Sequence, residues 1–114
     1  MNKRIFGGGI VALFSCAIAT APAAAQEQKA ARDLAAACFT CHGTDGNSVG
    51  DIPPSLAGRD GSELFRVLKE FQSGKRPATI MHQQARGYTD PQLKLIASYF
   101  ASVKPTPARL PAKP

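Results

Sequence analysis

Cys38-Phe39-Thr40-Cys41-His42 is the stretch that decides how this chain folds. C-x-x-C-H is the spacing at which a haem is attached covalently to protein. Two thiols three positions apart each add across one vinyl group of the porphyrin. The imidazole that follows is then held beneath the iron as its proximal ligand. Attachment and ligation come from one turn of chain.

Two rival readings of the pentapeptide are weaker. A thioredoxin-like dithiol belongs in a βαβ setting, whereas the lead-in Lys29 to Ala37 (KAARDLAAA) is rich in helix-forming Ala, Leu, Lys and Arg. A structural zinc site needs two more ligands at finger-like spacing, and the only other Cys and His are Cys16 and His82. The reading adopted is one haem c bonded to Cys38 and Cys41, with His42 on the iron.

Outward from the motif, the N-terminus names a compartment. Lys3 and Arg4 form a short positive region, Ile5 to Thr20 is apolar and Gly/Ala-rich, and Ala23-Ala24-Ala25 offers small residues before a cleavage point. Residues 1–25 therefore read as a secretory signal peptide. The expected location is the periplasm, with no integral membrane segment once the signal is removed, because no later run approaches the ~20 apolar residues that span a bilayer. Leu13-Phe14-Ser15-Cys16 resembles a lipoprotein processing site, but Phe14 fits it poorly and lipid anchoring through Cys16 is disfavoured. Cys16 leaves with the signal, haem consumes the other two thiols, and no disulfide is expected.

What remains is one small domain, residues 26–103, followed by a proline-rich basic tail, 104–114. A domain of this size is short of a self-sufficient core. With no Trp and few large aromatics, the flat macrocycle is expected to serve as much of the interior, and the chain without it to fold poorly. The formal net charge is +6. Residues 26–103 hold nine Lys/Arg against eight Asp/Glu, so the excess lies in the first residues and the tail. Two haem propionates would turn the domain slightly negative, and nucleic-acid binding is excluded as a reading.

Three helices are placed by pattern. The first runs from about Glu27 to Ala37 into the motif, with Ala30 and Leu34 on a face that allows close packing. The second starts at Asp60-Gly61-Ser62-Glu63, which fits a capping box; Leu64, Leu68 and Phe71 line one face and Gly74 ends it. The third starts at Thr89, with Gln92 reaching back and Pro91 in the first turn. Leu93, Ile96, Ala97 and Phe100 follow at i, i+3, i+4 and i+7. No segment alternates like a strand. Gly43 to Gly58 and Gly74 to Gly87 read as loops. The tail KPTPARLPAKP reads as extended and solvated.

The sixth iron ligand decides what the site does. Met81 is the only methionine besides the initiator, and it lies in the loop before the last helix. A thioether is a soft ligand that stabilises ferrous iron and closes the site to substrates. Met81 is the expected ligand; its neighbour His82 is the competitor.

C-x-x-C-H near the start of the domain, then Pro54-Ser55-Leu56-Ala57-Gly58, then a late Met and a last helix containing IASYF (Ile96 to Phe100), resembles a class I c-type cytochrome. The resemblance covers essentially the whole domain. HGTDGNSVGDIPPSLAG together with FQSGKRPATIM and GYTD is similar to the haem subunit of flavocytochrome c sulfide dehydrogenase and to small cytochromes related to it. Many such subunits carry two haem motifs; this sequence contains one.

The resemblance implies an all-α cytochrome c fold, three to four helices wrapped around one covalent haem. It also implies site roles. The Pro54 carbonyl would accept the N–H of the His42 ring, and Arg59 would face a haem propionate, although an ordinary turn proline and a solvated arginine stay open as readings. Tyr88 would hydrogen-bond near the haem edge, with a simple amphipathic surface role equally open, and Ile96 and Tyr99 would form the face of the last helix that crosses the first. A closed six-coordinate iron suits outer-sphere transfer of one electron. The expectation is an electron carrier with no enzyme activity of its own and no catalytic residues. Its partners would be redox proteins, a flavoprotein of a sulfide-oxidising complex among them. The alternatives are a free shuttle to a terminal oxidase with another donor, and a gas-binding haem protein in which Met81 is not a ligand.

Overall fold

A computed structural model describes residues 22–107. Residues 1–21 of the expected signal peptide, with Cys16, and residues 108–114 of the tail lie outside the described residues; Pro22 to Ala25, placed in the signal by the sequence pattern, form the N-cap and first turn of the first helix. Four α-helices follow in order, α1 (Ala23–His42), α2 (Gly61–Gln72), α3 (Met81–Arg86) and α4 (Asp90–Ser102), with a 3-10 turn at Thr44–Gly46. The fold is all-α among the described residues.

The first helix is longer than the pattern suggests at both ends. It starts just after Pro22, which occupies the N-cap position, and runs through the whole C-x-x-C-H motif to His42. Its core-facing side is Ala31 and Ala35 rather than Ala30, which is exposed; Leu34 is half-buried. The phase shifts by one residue because the alanine run carries almost no amphipathic signal, so the partner helix chooses the face. Gly43 ends α1 at φ 79°, in the left-handed region, and a Cβ there would lie 2.0 Å from the Asn47 carbonyl oxygen.

Helix α2 begins where expected. The Asp60 carboxylate accepts the Glu63 backbone N–H at 2.8 Å, satisfying one orphan donor of the first turn. The reciprocal half of the capping box is not made: the Glu63 side chain pairs with Arg59 instead, at 2.8 Å. Ser73 caps the far end and Gly74 follows at φ 77°. Helix α4 carries the full capping box, Thr89 Oγ1 accepting from Gln92 N at 3.4 Å and Gln92 Oε1 accepting from Thr89 N at 2.9 Å. The expected loop Gly74 to Gly87 is corrected: it contains α3.

α1 and α2 both pack on α4, and α3 packs on α2. Ala31, Ala35, Leu64, Leu93, Ile96, Ala97, Tyr99 and Phe100 form one cluster. Leu93 and Phe100 are fully enclosed, which is what the i, i+7 spacing demands. Gly46, at φ 78°, lets the turn lie flat on Phe100; a Cβ there would sit 2.6 Å from that ring. Asp45 beside it has φ 53°, a region Asp tolerates. Its carboxylate accepts the Tyr99 hydroxyl at 2.5 Å and meets the Arg32 guanidinium at 3.3 Å, joining α1, the 3-10 turn and α4. The start of the tail, residues 104–107, is exposed and holds no helix, but it is tethered: Thr106 N–H donates to Asn47 Oδ1 at 2.7 Å.

Candidate haem-binding site

The last turn of α1 presents Cys38, Cys41 and His42 to one cavity of about 440 Å³, within the range of a cofactor pocket. Spacing of three and four along a helix puts Cys38 on the same side as Cys41 and His42. Both cysteines are unbridged thiols, Cys38 half-buried and Cys41 exposed. Burial, and then Cys41 beside it, pushes the Cys38 thiol up.

The His42 ring is buried and its Nδ1 lies 2.7 Å from the Pro54 carbonyl oxygen. A carbonyl only accepts, so Nδ1 carries the proton and Nε2 keeps a lone pair available to a metal. The loop that delivers Pro54 is itself braced. Ser48 Oγ donates to the Pro53 carbonyl at 2.5 Å, and Ser48 N–H donates to Ser55 Oγ at 3.0 Å. Leu56 and Ala57 N–H both donate to the Gly46 carbonyl.

The other walls are mostly apolar: Leu64, Val67, Leu68 and Phe71 from α2, Ala85 from α3, Leu93, Ile96 and Phe100 from α4. Met81, the first residue of α3, lines the same cavity and is half-buried. His82 does not line it; one residue on, it points about 100° further round the helix. Tyr88 lines the cavity too, and burial, then charge at Cys38, pushes its phenol up, so it remains a donor. Arg59 stands at the cavity edge with its guanidinium on Glu63.

The residues fit a haem. The cavity is largely apolar, two thiols and an imidazole with a free Nε2 come from one helix end, and a thioether comes from another. A shallower groove of about 670 Å³ between the start of α2 and the end of α4, lined by Phe65, Lys94 and Ala101, contains no Cys, His or Met.

Sequence reasoning missed Arg76, which lines the cavity while pairing with Glu70 at 3.3 Å and lying over the Phe71 ring at 5.6 Å. The basic residue was visible between Gly74 and Pro77, but a turn of that kind does not say which way it points. It also missed Ala85 and Gln72, whose placement depends on α3.

Residues 28–104 match the cytochrome c family model. The chain is 41% identical over 70 residues to the cytochrome subunit of sulfide dehydrogenase of Chlorobaculum tepidum, covering 61% of this chain and 63% of that one. It is 33% identical over 81 residues to cytochrome c-554(548) of Halomonas halodenitrificans, covering 68% of this chain and 98% of that one. It is 38% identical over 81 residues to cytochrome c4 of Pseudomonas aeruginosa, covering 71% of this chain but 40% of the relative. Motif, cavity and comparisons converge: this chain belongs to the cytochrome c family, whose members bind haem c covalently, and Cys38 and Cys41 fit the family's C-x-x-C-H attachment motif.

Proposed function

We propose that this chain is a periplasmic carrier of single electrons with one haem c, its iron held between His42 Nε2 and Met81 Sδ, and with no enzyme activity of its own. The observation that carries the reading is the His42–Pro54 contact at 2.7 Å with Met81 in the wall of the same cavity. The bound group supplies a one-electron change at iron. The protein does the rest. Pro54 fixes the His42 tautomer and strengthens its donation. The Met81 thioether, as a second ligand, would favour the ferrous state and leave no position for a substrate. The largely apolar walls would limit water at the iron, which favours a higher potential. Arg59, once its pairing with Glu63 is shared, offers charge to a propionate at the rim.

The periplasmic reading rests on the N-terminal signal pattern. It is compatible with the described helices, none of which is long and apolar enough to cross a membrane. For the partner, similarity to the sulfide dehydrogenase subunit supports a flavoprotein donor of a sulfide-oxidising complex. The near-complete span of cytochrome c-554(548) favours the second reading, a free one-domain shuttle with another donor.

The ligand set is tested by the absorption spectrum of the oxidised protein. Wild type is expected to show the weak long-wavelength sulfur-to-iron band, and Met81→Ala to lose it. A Met81→Ala spectrum identical to wild type rejects Met81 and reopens the gas-binding reading. Reduction by a sulfide-oxidising flavoprotein, measured by stopped flow, separates the two donors.

A further inference from the structure

Gln72, the last residue of α2, reaches across to the far end of α3. Its Nε2 donates to the Ala85 carbonyl at 3.2 Å and to the Tyr88 carbonyl at 2.8 Å. Its Oε1 accepts from Lys69 Nζ at 2.5 Å, and the same ammonium lies 2.6 Å from Asp90 Oδ1 at the start of α4. The partners fix the orientation of this amide. An ammonium only donates and a carbonyl only accepts, so all three contacts require the same orientation.

The segment between these contacts is the one that carries Met81. Residues 73–80 hold no helix, α3 is six residues long, and Ile80 at its N-cap makes no side-chain bond. Ala85 lies one helical turn after Met81 and, like it, lines the cavity. We propose that Gln72 is a positioning residue for the sixth ligand: by closing the loop from 73 to 84 onto the end of α2 it holds α3, and so Met81, against the haem cavity. This rests on the assignment of Met81 to the iron. Lys69 acts through Gln72, presenting its amide hydrogens to the two carbonyls.

Imidazole binding to the ferric protein tests it, because imidazole must displace Met81 and its apparent affinity rises with the fraction of molecules whose loop is open. Gln72→Leu keeps the bulk and loses both donors; an approximately tenfold rise in apparent affinity is expected, the ratio that about 1.4 kcal/mol represents. Gln72→Glu keeps the Lys69 contact but sets acceptors against two carbonyls, and is expected to rise at least as much. Lys69→Met is expected to rise about threefold, within the range of one weakened hydrogen bond. Lys29→Gln, in an exposed pair with Asp33 on α1, serves as the control and should stay within twofold. A merely structural role for Gln72 would lower the melting temperature without moving the imidazole affinity of the folded protein. If the sulfur-to-iron band is present in wild type and lost in Met81→Ala, yet the Gln72 and Lys69 variants that fold all bind imidazole within twofold of wild type, the inference alone is overturned. If Met81→Ala leaves the wild-type spectrum unchanged, the ligand assignment and the inference fall together.

Discussion

Removing the Tyr99 hydroxyl isolates one contact that ties three elements together. Tyr99 is buried and donates to Asp45 at 2.5 Å, while Asp45 keeps the Arg32 guanidinium at 3.3 Å. A hydrogen bond to a charged acceptor contributes about 1.5–3 kcal/mol. Asp45 is 35% exposed and would still be paired, so Tyr99→Phe sits at the lower end, about 1.5 kcal/mol. For a domain of this size that is a fall of about 6–12 °C in melting temperature. The assay is thermal unfolding of the haem-loaded protein followed by far-ultraviolet circular dichroism. Burial first, and then the Asp45 hydrogen bond, pushes the Tyr99 phenol up in the folded state. A raised folded-state value means that the wild-type advantage is fully present below the unfolded value of about 10 and is lost as pH rises through the folded one. The gap between wild type and Tyr99→Phe should therefore narrow above pH ~10. A gap under about 2 °C at pH 7, or one that widens in alkali, refutes the reasoning.

Gly46→Ala forces a Cβ against the Phe100 ring at a positive φ, and should cost about 2–4 kcal/mol in urea unfolding. Thr89→Ala removes the α4 cap and should cost about 1 kcal/mol in the same measurement. Arg66→Gln breaks an exposed i,i+4 pair with Glu70 and should change stability by less than about 0.5 kcal/mol. The Cys38→Ala/Cys41→Ala double variant, made without haem, leaves the apolar cavity unfilled and should show no cooperative thermal transition by circular dichroism.

Where capping chemistry and hydrophobic spacing agree, the fold was legible. Thr89, Pro91 and Gln92 start α4, and Leu93, Ile96, Ala97 and Phe100 point inward as the spacing says. Asp60 and Gly74 bound α2 in the same way. Helix α3 was not legible. MHQQAR is six residues with no side-chain cap, far too short to be stable by propensity. It forms because Ala85 is buried and Gln72 holds its end. The phase of α1 was misread for a related reason, since an alanine run fits either way until Tyr99 and Phe100 arrive beside it.

The family motif of this protein was written in local pattern: two thiols and an imidazole in one turn of helix need no distant residue to spell C-x-x-C-H, and a solitary downstream methionine was the residue left to propose as sixth ligand. Direction came from elsewhere. Which nitrogen of His42 is free depends on the Pro54 carbonyl, braced through Ser48; whether Met81 faces the cavity depends on Gln72, nine residues before it in the chain. Those contacts join segments that share no periodicity, so only the closed tertiary structure could bring donor to acceptor.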